Sequence, residues 1–140
     1  MSAAEVHRFA VRVYYEDTDL AGIVYYANYL RFIERARTEA LRALGIDQPA
    51  LKAVEGLVFV VRTVNAEYRR PAVFDDLLTV ETGLLELRRA SVTLEQRVLR
   101  DAEPLFVSTV GLAMMGASGR PARIPAAVSA AIGQLPMLGG

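Results

Sequence analysis

The segment Tyr29-Leu30-Arg31-Phe32-Ile33-Glu34-Arg35-Ala36-Arg37-Thr38-Glu39-Ala40-Leu41-Arg42-Ala43-Leu44 decides the fold of this chain. Tyr29, Phe32, Ile33, Ala36, Ala40, Leu41 and Leu44 recur at helical spacing and form one apolar stripe. Arg31, Glu34, Arg35, Thr38, Glu39 and Arg42 fill much of the remaining surface. The pattern predicts a single amphipathic helix about 24 Å long at ~1.5 Å per residue. Asn28 stands where a capping side chain is expected. Gly45 suits the residue just past a helix, and Pro49 marks the stop. Glu34 and Arg37 read as a surface pair or as interface contacts.

On either side of this helix the apolar period shortens to two. Upstream, Phe9, Val11 and Val13 alternate with Ala10, Arg12 and Tyr14, the pattern of a strand with one buried face. Downstream, Leu57 to Tyr68 is rich in Val and Phe and ends at Arg69-Arg70-Pro71. Leu77 to Leu87 follows, then the charged turn Arg88-Arg89, then Ala90 to Leu99 with Val92, Leu94, Gln96 and Val98 on one face. After the turn Asp101-Ala102-Glu103-Pro104, the run Leu105 to Met115 is almost continuously apolar and predicts burial on both faces. Ala126 to Leu135 predicts a short, weak helix.

The order is thus one strand, one long helix and four more strands, an α+β class. Antiparallel strands of this length need their apolar face covered, and the chain offers one helix of the right length and stripe. A strongly curved antiparallel sheet wrapped around that helix is the simplest arrangement, as a single domain over residues 1–140. No internal repeat interrupts it. Gly111, Ala113 and the apolar last strand favour self-association through the sheet.

Composition narrows the chemistry. Lys+Arg and Asp+Glu balance at 16 each, so no general attraction to nucleic acid or anionic membrane is expected. Specific docking to a membrane surface or to lipid-synthesis partners is left open by that balance. There is no cysteine and one histidine, His7, placed before the first strand. This excludes a disulfide framework and a thiol nucleophile, and makes a metal centre or a Ser-His-Asp site a poor fit. The first ten residues lack the apolar run of a signal peptide, and Leu105 to Met115 is too short for a membrane span. A cytoplasmic location is the default expectation.

The chemistry is expected in the loop from Tyr15 to Ala27, which carries Glu16, Asp17 and Asp19 to the start of the helix. Unpaired N–H groups at a helix N-terminus can hold a developing oxyanion beside such a carboxylate. From the residues alone, Asp17 and Asp19 compete for the reactive role, while Glu16 and Asp17 also read as solvated caps. Gly22 supplies a sharp turn and close approach to a substrate. Tyr25, Tyr26 and Tyr29 either line a pocket or fill the junction of helix and sheet, with Tyr26 favouring the pocket and Tyr29 the core.

The run Tyr14-Tyr15-Glu16-Asp17-Thr18-Asp19-Leu20-Ala21-Gly22-Ile23-Val24-Tyr25-Tyr26-Ala27-Asn28-Tyr29, continued through Glu39, resembles the signature of hotdog-fold acyl-CoA thioesterases. The nearest branches are the 4-hydroxybenzoyl-CoA thioesterases and the thioesterases associated with the bacterial Tol-Pal system. The resemblance covers residues 8–125 and includes Phe59-Val60-Val61-Arg62, Tyr68-Arg69-Arg70-Pro71-Ala72 with Asp75-Asp76, and Arg123-Ile124-Pro125. It implies a curved sheet around a central helix, and homodimers or homotetramers with sites at the subunit interface. It also implies a catalytic carboxylate at Asp19 and a polarising backbone amide near Tyr26. The Tol-Pal branch usually has histidine where this chain has Tyr26, so an auxiliary acid or base is absent here.

The implied reaction is hydrolysis of an acyl-CoA thioester to a carboxylic acid and free coenzyme A, with short-chain or aromatic acyl groups favoured. Asp19 would attack directly or activate water. Coenzyme A is part of the substrate, and no metal or separate cofactor is implied. Its phosphates call for basic turn residues, so Arg69-Arg70 and Arg88-Arg89 are the candidates, with Arg120 and Arg123 nearby. At least two of these are expected to converge, Arg88-Arg89 foremost. The alternatives are a non-catalytic acyl-CoA-binding or scaffold protein, and a hydratase or dehydratase of the same fold.

Overall fold

A computed structural model describes residues 5–139. The elements are β1 (His7–Arg12), α1 (Asn28–Ala43), α2 (Gln48–Glu55), β2 (Val58–Tyr68), β3 (Leu77–Leu87), β4 (Ser91–Arg100), β5 (Glu103–Met115) and α3 (Ala126–Ile132). The five strands form one curved antiparallel sheet in the order β1-β3-β4-β5-β2. Helix α1 lies in its concave side, giving the α+β arrangement expected from the helix and strand periods and the hotdog fold that the family resemblance implies. Among the described residues, no helix is long and apolar enough to cross a membrane.

The apolar stripe of α1 is the inner half of the core: Phe32, Ile33 and Ala36 are fully buried. Leu78 and Val80 on β3, Leu94 and Val98 on β4 and Phe106 and Val110 on β5 oppose it, also without exposure. Each buried side chain of this size contributes about 1.5–3 kcal/mol. Strand β4 alternates as its sequence dictates, which turns Gln96 inward with the valines and leucines. Its carboxamide is fully buried and fully engaged. Nε2 donates to the Ile33 carbonyl at 2.9 Å and to Thr82 Oγ1 at 2.9 Å, and Oε1 accepts from Arg37 at 3.0 Å. The clamp fixes α1 along the sheet, because a buried polar group that lost these partners would bear its full desolvation cost.

Four expectations need correction. Arg37 turns inward to Gln96, and burial draws its guanidinium below the usual arginine value; Glu34 instead accepts from Thr38. Asn28 does not cap α1. The residue before the helix is Ala27, and no side-chain cap bond forms. The segment after α1 holds a second helix, α2, started by the Asp47 carboxylate accepting from Ala50 N at 3.0 Å and ended by Gly56 at φ 66°. Pro49 thus stops one helix and sits in the first turn of the next, where its missing N–H has no cost. Strand β5 is buried on both faces only at Leu105–Phe106 and Leu112–Met114. Between them Val107, Thr109 and Gly111 are half-exposed.

Beyond α3 the chain crosses β3, with Leu84 N donating to the Pro136 carbonyl at 2.9 Å and Arg97 to the Gly139 carbonyl at 2.6 Å. The crossing needs glycine at 83: a Cβ there would stand 2.8 Å from the backbone N of Leu138. At the opposite edge, β2 has no strand on its outer side among the described residues.

Candidate active site

The loop between β1 and α1 opens with a single 3-10 turn, Tyr15–Asp17. Asp17 is buried at 8% exposure, and both its carboxylate oxygens are used. One accepts from Tyr14 N at 2.8 Å and the other from Asn28 Nδ2 at 2.6 Å. Its carbonyl accepts from Tyr25 N at 2.9 Å. Asp17 is therefore no solvated cap, and Asn28 is the partner that buries it. Glu16 is exposed, as expected.

After Thr18, which bridges to Val24, the chain makes a tight turn. Asp19 N donates to the Ile23 carbonyl at 3.0 Å and Gly22 N to the Asp19 carbonyl at 2.9 Å. Gly22 takes φ 81°, a conformation that glycine adopts without strain. The exposed Asp19 carboxylate accepts from Ala21 N at 2.9 Å through Oδ1. Among the described residues Oδ2 has no partner, so one oxygen is anchored and the other is free to react.

The second wall comes from residues 69–76. Val24 N donates to the Ala72 carbonyl at 2.9 Å, Ile23 bridges to Val73, and Ala72 N donates to the Tyr29 hydroxyl at 3.0 Å. Asp76 closes the loop by accepting from Val73 N and from Arg100, each at 2.9 Å. The hydrogen bond to Asp76 holds the Arg100 guanidinium above its usual value.

Between the walls lies a cluster of rings. Tyr29 stacks on Phe106 at 5.1 Å, and Tyr68 meets Tyr29, Phe106 and Tyr26 edge-on. Burial pushes the Tyr29 and Tyr68 phenols upward, so they stay neutral at physiological pH. The Tyr68 hydroxyl donates to the Tyr26 carbonyl at 2.9 Å. A pocket of about 270 Å³ is lined by Ile23, Val24, Tyr26, Tyr29, Tyr68, Arg69, Arg70 and Pro71. Asp19 is outside its lining in the single chain. A larger pocket, about 770 Å³, opens between the end of α1, α2 and the start of β2, away from the acidic loop.

The backbone at the start of α1 is partly spoken for. Tyr25 N serves Asp17 and Asn28 N serves the Tyr25 carbonyl at 2.8 Å, whereas the N–H groups of Tyr26 and Ala27 meet no acceptor among the described residues. The Tyr26 and Ala27 N–H groups are thus open donors beside the acidic loop, the arrangement an oxyanion requires.

The two arginine pairs are separated. Arg69 and Arg70 flank the ring pocket, paired to Glu67 at 2.8 Å and Glu103 at 2.9 Å. Arg88 and Arg89 lie at the other end of β3, roughly 33 Å along the strand, where Arg88 pairs with Glu86 at 2.6 Å. Ion pairs this exposed contribute little, so these cations can be redirected to a phosphate. His7 begins β1 and takes no part in the loop. Among the described residues, no group of three or more metal-ligating side chains converges.

A family model described as the thioesterase superfamily matches residues 21–106, which include Gly22, Tyr26, the whole of α1 and both walls of the ring pocket. The chain belongs to the thioesterase superfamily. The acyl-CoA thioesterase YbgC of Haemophilus influenzae is 45% identical over 128 residues, covering 91% of this chain and 94% of the relative. The acyl-CoA thioester hydrolase YbgC of Escherichia coli O6:H1 is 42% identical over 130 residues, covering 88% and 92%. The crystal structure of a probable thioesterase from Bartonella henselae superposes with a TM-score of 0.82 at 40% identity, over 86% of this chain and 99% of that one. Of the readings open to the sequence, an enzyme therefore stands over a non-catalytic binding protein. This thioesterase keeps the family's helix and sheet with a tyrosine at position 26.

Proposed function

We propose that this thioesterase hydrolyses acyl-CoA thioesters, releasing a carboxylic acid and coenzyme A, with Asp19 as the reacting carboxylate. The observation that carries the reading is the free Oδ2 of Asp19 on a loop tied to the start of α1, where the Tyr26 N–H has no internal acceptor. Attack on the thioester carbonyl places negative charge on its oxygen, and the Tyr26 amide would receive it. Asp19 either adds to the carbonyl carbon, giving an anhydride that water cleaves, or takes a proton from the attacking water. In both routes the C–S bond breaks and the thiolate leaves as coenzyme A after gaining a proton. Gly22 lets the turn approach the substrate without a Cβ.

The small ring-lined pocket favours short-chain or aromatic acyl groups, and Arg69 and Arg70 at its mouth suit the phosphates of the nucleotide end better than Arg88 and Arg89. A second copy of the chain would complete the site. The eleven-residue edge of β2 is open, and Val61, Val64 and Tyr68 on its inner face are 49%, 42% and 47% exposed.

The test is hydrolysis of acetyl-, octanoyl-, palmitoyl- and benzoyl-CoA, followed by release of free thiol. Asp19→Asn and Asp19→Ala should lower kcat by about 10²–10⁴ on every accepted ester. Near-normal turnover in both variants would remove Asp19 from the mechanism.

A further inference from the structure

We propose that Asp17 is a positioning residue of thioester hydrolysis, tying the loop that bears Asp19 to the first residue of α1. The inference rests on the reading of Asp19 given above. Of the three acids in the loop, Asp17 alone is buried, and a buried carboxylate is retained only where donors offset its lost hydration. The two donors come from different places. Tyr14 N, at 2.8 Å, belongs to the exit of β1, and Asn28 Nδ2, at 2.6 Å, belongs to the helix start eleven residues on. The Asp17 carbonyl adds a third tie, from Tyr25 N at 2.9 Å.

One residue thus joins the strand that leads into the site, the segment carrying the free Tyr26 amide, and the helix N-terminus. Two residues later the chain reaches Asp19, whose own side chain touches only its turn. Asp17 therefore helps set the distance between the Asp19 carboxylate and the Tyr26 N–H, beside the Thr18–Val24 bridge and the bond from Asp19 N to the Ile23 carbonyl. A displacement of about 1 Å at a reacting group can cost about 10² in rate.

The pair permits a reciprocal test, because its donors and acceptors can be exchanged. Asp17→Asn turns an NH2 group towards one of two donors. Asn28→Asp sets two carboxylates against each other. In the double variant Asp17→Asn/Asn28→Asp the carboxamide at 17 accepts from Tyr14 N and donates to the carboxylate at 28, and the pair keeps one negative charge.

Each variant of the full chain is assayed on whichever of acetyl-, octanoyl-, palmitoyl- and benzoyl-CoA the parent hydrolyses fastest, with Asp19→Ala alongside. Asp17→Asn should lower kcat by about 10² while KM stays within about 3-fold. The double variant should recover kcat to within about 5-fold of the parent, a recovery set by the pair's donor–acceptor match. If Asp17→Asn does not fold, Asn28→Ala supplies the comparison: it removes one donor, leaves the Tyr14 bond and should show the same kcat loss at held KM. Unchanged kcat in Asp17→Asn or Asn28→Ala, with Asp19→Ala inactive, overturns this proposal and leaves the Asp19 reading standing. A kcat loss that the double variant fails to recover also overturns it. Full activity in Asp19→Ala overturns both.

Discussion

Deleting one oxygen from Tyr29 measures how firmly the two walls of the ring pocket are joined. Tyr29 is 3% exposed and Ala72 is fully buried, and the hydroxyl accepts the Ala72 N–H at 3.0 Å. In Tyr29→Phe the ring remains, together with its stacking on Phe106 at 5.1 Å, so packing is held constant and only the acceptor is lost. A buried N–H left without a partner costs about 1–3 kcal/mol. At ~2.1 cal/mol/K per residue, a chain of 140 residues unfolds with an entropy of about 0.3 kcal/mol/K. The variant should therefore melt about 3–10 °C below the parent, read by circular dichroism with a urea titration for the free energy. Because the Ala72 carbonyl holds Val24 N at 2.9 Å, the turnover rate should fall as well, by a smaller factor than in Asp19→Ala. A melting point within about 1 °C of the parent would refute the reasoning, since it would mean that Ala72 N finds another acceptor at no cost.

Two further outcomes concern other parts of the molecule. Burial holds the His7 imidazole below 6.5 against the opposing pull of Glu39, so the folded chain binds fewer protons than the unfolded one as pH falls. Stability should decline on acidification from 6.5 down to the folded midpoint and then level off; proton NMR of this lone histidine should show a midpoint below 6.5, and a higher one would refute the assignment. Gly83→Ala should force the segment 135–139 off β3 at a cost of about 1–3 kcal/mol, because its Cβ would meet the Leu138 backbone at 2.8 Å. Faster hydrogen exchange at the Leu84 amide would report the displacement, and unchanged protection would exclude it.

Long periodic segments were legible because burial writes itself into them. The stripe of α1 and the alternation in β4 each repeat often enough to outvote local propensity. Helix α2 spans only eight residues, too few for its period to stand out, although Asp47 and Gly56 flank it with ordinary start and stop chemistry; Pro49 reads equally well as the end of α1. Depth within the acidic loop was not legible. Asp17 and Asp19 are chemically alike, and what separates them is the position of Asn28, a contact formed across a folded turn. Asn28 itself carried a sufficient local reading as a cap. The inward turn of Arg37 was hidden for the same reason, since its acceptor, Gln96, lies 59 residues away.

The carboxamide at Gln96 has a consequence for how this scaffold can change. Exchanging it alone for leucine would strand the Thr82 hydroxyl and one lone pair of the Ile33 carbonyl in the interior, and would take from the half-buried Arg37 guanidinium its acceptor. Replacing Thr82 alone takes one of two acceptors from the Gln96 amide nitrogen, and replacing Arg37 alone takes the donor from its oxygen. Mutational drift at this layer therefore passes through simultaneous exchanges, and a protein engineer repacking the seam between α1 and the sheet must treat Thr82, Gln96 and Arg37 as one heritable block.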